Sequence, residues 1–212
     1  MLKLDHLTVI APTLSQGVEH VRDCIGIDVP FGTRHLYMGT HNHRLQLGNN
    51  KYLEIVALDP EGRDPGRARW FGVDDVAQVR RDWDAGRRLR GWVASTTDID
   101  RYVADYPHLF GEVVGLPFDA PGFAFSIPKD GSLPADGAVP SLIDHKKDPT
   151  CMSDIPDLGA RLVGFSVKHP DADALRKLYE QLEINALPTI ESGSTLRYEA
   201  QIETPAGLRK LS

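Results

Sequence analysis

The stretch LKLDHLTVIAPTLSQGVEHVRDCIG, residues 2–26, changes hydrophobic period half-way, and that change decides the fold. Residues 2–10 alternate in the manner of a strand. From Thr13 the apolar positions become Leu14, Val18, Val21 and Ile25, the spacing of a helix, and Gly26 is its stop signal. Three further strands are expected at Thr33–Met38, Asn42–Leu47 and Tyr52–Ala57, separated by Gly39-Thr40 and by Gly48-Asn49-Asn50. Residues 1–58 therefore read as one β-α-β-β-β unit.

Working outward, residues 59–90 read as a connector, a Pro/Asp-rich loop followed by a short helix through Val76, Val79 and Trp83. The unit then returns over 91–148. It has a strand at Gly91–Thr97, Asp98 as N-cap of a helix with Ile99, Tyr102 and Val103, and strands at Glu112–Leu116, Phe123–Ile127 and Val139–His145. A third, incomplete copy is expected over 160–212. It comprises Leu162–His169, a helix after Asp171 carrying Leu175, Leu178 and Leu182, and strands near Ala186–Ile190, Leu196–Thr204 and Leu208–Leu211. The fold class is α+β, with repeated units forming cup-shaped mixed sheets and helices on their outer face.

Composition narrows the function. The 212 residues carry 41% hydrophobic and 25% charged side chains and a formal charge of −6, ordinary for a soluble globular chain and unlike a nucleic-acid binder. Arg80, Arg81, Arg87, Arg88 and Arg90 are interrupted by Asp82 and Asp84 and read as a solvated helix face and its exit loop. No segment has transmembrane length, and Asp5 and His6 break any signal-like stretch, so a cytoplasmic location is expected. Cys24 reads as a buried free thiol, and Cys151 makes no metal-type spacing with it.

Strand alternation sorts the first unit into two faces. Leu7, Val9, Leu36, Met38, Leu45, Leu47, Leu53 and Ile55 form the apolar face beneath the helix. The other face carries His6, Thr8, His35, Tyr37, Asn42, Arg44, Gln46, Tyr52 and Glu54. Imidazoles, phenols, an amide, a guanidinium and a carboxylate on one face are what a ligand pocket needs; a face turned to water or a partner sheet, with His6 structural, is the plainer alternative. Aligning the units puts Asp144 at the phase of Glu54 and Gly91 opposite His6, while Gly164 takes that place in the third. His41, His43 and His145 fall on the opposite phase and rank lower.

The order of these features resembles the glyoxalase-like branch of the vicinal-oxygen-chelate superfamily. The residues that carry the resemblance are Leu-Asp-His-Leu-Thr-Val at 4–9, Arg-His-Leu-Tyr-Met-Gly-Thr-His-Asn at 34–42 and Lys-Tyr-Leu-Glu-Ile-Val at 51–56. Looser likeness extends through Trp70-Phe71-Gly72, Gly91-Trp92 and His169-Pro170-Asp171. The resemblance implies a cup of paired units holding one divalent metal (Zn, Mn or Fe). Carried over, the ligands are His6, Glu54 and Asp144, and Gly91 leaves a fourth position empty of any donor. It implies a lyase or isomerase on a small oxygen-bearing substrate, with Glu54 or His35 catalytic and Tyr37, Asn42, Arg44, Tyr52 and Thr8 around the substrate. As a general base Glu54 is expected to need burial that raises its pKa. A metal-free protein sequestering an organic ligand, or a dioxygenase, stays open beside it. Expected partners are a small molecule and a second copy in a homodimer, with no nucleic acid or membrane.

Overall fold

The computed structural model describes residues 1–146, 154–184 and 188–212. The first unit runs β1 (Lys3–Ile10), α1 (Leu14–Ile25), β2 (Phe31–His35), β3 (Thr40–Gln46) and β4 (Tyr52–Leu58). After the connector helix α2 (Val76–Asp84), the second runs β5 (Leu89–Ser95), α3 (Ile99–Asp105), α4 (Pro107–Phe110), β6 (Glu112–Leu116), β7 (Phe123–Ile127) and β8 (Ser141–Asp144). Both share one eight-stranded sheet of order β2-β3-β4-β1-β5-β8-β7-β6. Its seam is the antiparallel β1·β5 pair, and outward from it each unit repeats one pattern: a parallel neighbour, β4 or β8, then two antiparallel strands. This is the α+β cup that the sequence predicts.

The third segment has the same element order, β9 (Arg161–His169), α5 (Ala172–Gln181), β10 (Thr189–Ser192), β11 (Arg197–Thr204) and β12 (Gly207–Leu211), but winds into a separate sheet of order β10-β9-β11-β12. It lies behind the seam. Trp92 of β5 meets Phe165 at 6.2 Å and Tyr179 at 6.3 Å, and the hydroxyls of Tyr179 and Tyr198 each donate at 2.7 Å, to the carbonyls of Ala138 and Gly137. Cys151 and the first residues of the expected strand Ala186–Ile190 lie outside the described residues, as do the last two of the second unit. Among the described residues no helix is long and apolar enough to cross a membrane.

Helix α1 forms where the period predicts it. Thr13 Oγ1 accepts from the Gln16 amide at 3.3 Å as N-cap, and Gly26 closes the other end in the left-handed conformation. Its buried Leu14, Val21 and Ile25 share a core with Leu7, Val9, Leu45, Leu53 and Ile55 of the sheet; fully burying such a side chain contributes roughly 1.5–3 kcal/mol. Cys24 on this helix is only partly buried.

Two expectations need correcting. Strand β2 ends at His35, because the amides of Met38 and Gly39 both bond back to the His35 carbonyl (2.9 and 2.8 Å) and close a turn. Leu36 is therefore 72% exposed, and Met38 joins the core on the concave side rather than the one under α1. Arg90 is not solvated: it is buried on β5, with Nη2 2.8 Å from Asp82. Across the β1·β5 seam Leu4 pairs with Ala94 as Leu89 pairs with Val9, and His6 with Val93 as Gly91 with Thr8, so Gly91 takes the place of His6 in the second unit, as the aligned units predict.

Candidate functional site

The concave face of the large sheet holds a cavity of about 260 Å³, and the first unit supplies its polar side. His6 comes from β1, His35 from β2, Asn42 and Arg44 from β3, and Tyr52 and Glu54 from β4, with Tyr37 in the turn. Two sequence-expected residues are not brought to it. Thr8 lies further along β1, fully buried and outside the lining, its Oγ1 without a hydrogen bond among the described residues. Asp144 is outside the lining and accepts from the Lys146 amide at 2.8 Å.

A β-bulge builds the centre of the site. Leu4 pairs with Ala94 and His6 with Val93, so Asp5 is an extra residue in β1. In an unbroken strand Asp5 and His6 would point to opposite faces. Here the Asp5 carboxylate turns beside its neighbour: Oδ1 is 2.7 Å from His6 Nδ1, and Oδ2 is 2.8 Å from His145 Nε2. His6 then stacks on Tyr52, ring centroids 4.4 Å apart, and directs Nε2 at Glu54 Oε2, 3.5 Å away. Sequence phase ranks His145 low and gives Asp5 no role, because alternation carries no signal for a bulge. His145 lines the cavity.

The network continues from Glu54. Asn42 Nδ2 donates to Glu54 Oε1 at 2.7 Å, while Asn42 Oδ1 accepts from the Thr33 amide at 2.8 Å, which fixes the orientation of the amide group. Gly32 permits this, since a Cβ there would sit 2.3 Å from Asn42 Oδ1. Asn42 Nδ2 also faces His35 Nε2 at 3.3 Å, so Nε2 is the acceptor. His35 Nδ1 then carries the proton and donates to Thr40 Oγ1 at 2.9 Å, which also accepts from Trp70 Nε1 at 3.3 Å.

Charges follow from these bonds. Burial disfavours charge on His6, yet its bonds to Asp5 and Glu54 prevail and raise it to about 9. Burial opposes ionisation of Asp5, but bonds from His145 and His6 bring it to about 2. Burial also pushes Glu54 up, and the His6 cation more than offsets that, leaving it lowered, opposite to the rise expected of a general base. His35 has no such partner, and burial drives it down to about 4. At neutral pH the cavity base therefore holds an imidazolium–carboxylate pair beside a neutral imidazole.

The far wall has a different chemistry. Trp70 and Phe71 of the connector, Phe123 and Phe125 of β7 and Ile143 of β8 are apolar. Trp70 meets Phe125 at 5.4 Å, Phe71 meets it at 5.6 Å, and Phe71 holds φ 63°, rare for a side chain of its bulk. The sequence marks Trp70-Phe71 only as part of a resemblance, since loop residues have no period to read.

The residues present do not fit the divalent metal that the family resemblance implies. Only His6 Nε2 and Glu54 Oε2 converge, and among the described residues no group of three His, Cys, Asp or Glu side chains could hold a metal ion. The register explains why. His6 pairs with Val93 as Gly91 pairs with Thr8, and Glu54 pairs with Thr8 as Ser141 pairs with Val93, so the second unit answers His6 and Glu54 with Gly91 and Ser141, neither an imidazole nor a carboxylate.

A family model described as "Glyoxalase-like domain" matches residues 4–183. No curated protein matches the sequence. Among solved structures, a hypothetical protein from Staphylococcus aureus is similar over 100% of this chain and 99% of its own, with 12% identity and a TM-score of 0.55, which bears on the fold alone. Methylmalonyl-CoA epimerases are similar more weakly. The Streptomyces coelicolor enzyme with bound 2-nitronate-propionyl-CoA has 18% identity and TM-score 0.40 over 69% of this chain and 97% of its own. The Mycobacterium tuberculosis enzyme has 15% identity and TM-score 0.42 over 68% and 87%.

Proposed function

This chain belongs to the glyoxalase-like domain family, within the vicinal-oxygen-chelate superfamily, and on that premise we propose that it is an isomerase or lyase that moves a proton next to a carbonyl group of a small substrate. The observation that supports this is the buried pair at the cavity base, His6 Nε2 and Glu54 Oε2, 3.5 Å apart. A substrate carbonyl oxygen placed against His6 takes the imidazolium hydrogen bond away from Glu54. The force that lowers Glu54 is then weakened while burial, which raises it, remains. The carboxylate becomes a stronger base when the substrate is in place, and His6 stabilises the enolate oxygen as its charge develops.

Asn42 holds Oε1 of Glu54 and so presents Oε2 to the substrate. Glu54 removes the proton on carbon; an isomerase returns it to the other face or a neighbouring atom, and a lyase instead lets a leaving group depart with the electron pair. Arg44 and Tyr52 orient the substrate's oxygens.

Solvent-deuterium exchange into small 2-oxo acids, followed by NMR, tests the reading. Wild-type protein treated with chelator is expected to catalyse exchange, and Glu54→Gln to reduce it at least a hundredfold. Exchange that survives in Glu54→Gln would overturn the proposal. One equivalent of Zn, Mn or Fe, lost in His6→Ala together with the exchange, would replace it with the metal-dependent reading. An organic ligand held tightly with no exchange would make the protein a sequestering one.

A further inference from the structure

We infer that the ligand of this cavity is a single-ring aromatic carboxylate, its ring against the Trp70–Phe125 wall and its carboxylate on the Arg44 side. The inference rests on the proposed use of the cavity and deepens it. Three observations carry it: how the two units divide the lining, how the apolar wall is held, and how large the space is.

Nearly every polar group belongs to β1–β4, and the opposing wall from the connector, β7 and β8 is apolar apart from His145. A ligand spanning the cavity must therefore be amphipathic along one axis. Its apolar end meets an aromatic surface that is fixed in place. The Trp70 indole is tied by Nε1 to Thr40 and braced edge-on by His35 at 5.1 Å as well as by Phe125. Such a surface presents flat faces and ring edges that reward a planar partner over a puckered one of equal area. The volume of about 260 Å³ sits at the small end for ligand sites and admits one ring with a short side chain. At the polar end, Arg44 brings its guanidinium to the lining, and the fork of that group matches a carboxylate. A single negative charge on the ligand is the complement. Tyr37 of the lining is in turn met edge to face by Phe118 at 6.4 Å.

Calorimetric titration of the full chain with phenylacetate, its neutral isostere phenylacetamide and its saturated analogue cyclohexylacetate tests the assignment. Phenylacetate is expected to bind at least tenfold more tightly than either. Arg44→Gln is expected to weaken phenylacetate at least tenfold while leaving phenylacetamide within twofold, a result that misfolding cannot imitate. Equal binding of phenylacetamide would overturn the anionic assignment, equal binding of cyclohexylacetate the aromatic one, and no binding of any the whole. Because binding is read without turnover, phenylacetate selectivity in a protein that shows no deuterium exchange would support the ligand class while sinking the proton-transfer reading.

Discussion

Asp5 and His145, 140 positions apart in sequence, are joined carboxylate to imidazole at 2.8 Å. The bond crosses the β1·β5 seam, and the same carboxylate holds His6 at 2.7 Å, so one side chain aligns imidazoles from both units. Asp5→Asn removes the charge and keeps the shape. The expected outcome is a His6 pKa at least one unit below the wild-type value near 9, read from imidazole nitrogen shifts across a pH series. An unmoved His6 would mean that Glu54 alone holds its charge.

Stability should form a dome against pH. His6 is raised from 6.5 to about 9, so its contribution is complete below 6.5 and is lost as pH climbs through 9. His35 is lowered to about 4, so the unfolded chain binds its proton first, and stability falls as pH drops from 6.5 toward 4. Each limb spans on the order of 3 kcal/mol. Urea denaturation at half-unit pH steps checks this, with His6→Gln flattening the alkaline limb and His35→Asn the acid one.

Helix α1 approaches β4 closely at Gly17, where a Cβ would stand 2.4 Å from Ile55 Cγ2. Gly17→Ala should therefore destabilise by about 1–3 kcal/mol through overpacking, although alanine is the better helix former. A gain in melting temperature would show that the helix shifts freely over the sheet.

The buried Asp82–Arg90 pair makes a sharper case. Asp82→Ala strands the guanidinium, whose Nε and Nη1 already lack hydrogen-bond partners among the described residues, and should cost about 3–5 kcal/mol. Asp82→Leu combined with Arg90→Met should recover most of that loss in chemical denaturation.

Much of this was legible in the chain. Helix α1 and the β-strands of the first unit are written in periods of 3.6 and 2, and the polar set from His6 to Glu54, Thr8 and Gln46 apart, lines one cavity. What escaped is set by geometry that has no period. The turn after His35 is closed by backbone amides, the bulge at Asp5 by sheet register, and the Trp70–Phe71 wall by a connector with no repeating pattern. The second unit misled for a related reason. Matching Asp144 to Glu54 by phase is three residues out, and only the strand register reveals it, Ser141 pairing with Val93 as Glu54 pairs with Thr8.

The division of the cavity between the two units has a consequence for how such a protein can diversify. Substitutions at Phe123, Phe125 or Ile143 reshape what the cup admits while leaving His6, Glu54 and Asn42 in place, because the two sets sit on different strands. Duplication has in effect separated the lock from the bolt. Descendants of one such chain can change clientele through the second copy alone, and a swap of β6–β8 between relatives would be the laboratory version of that history.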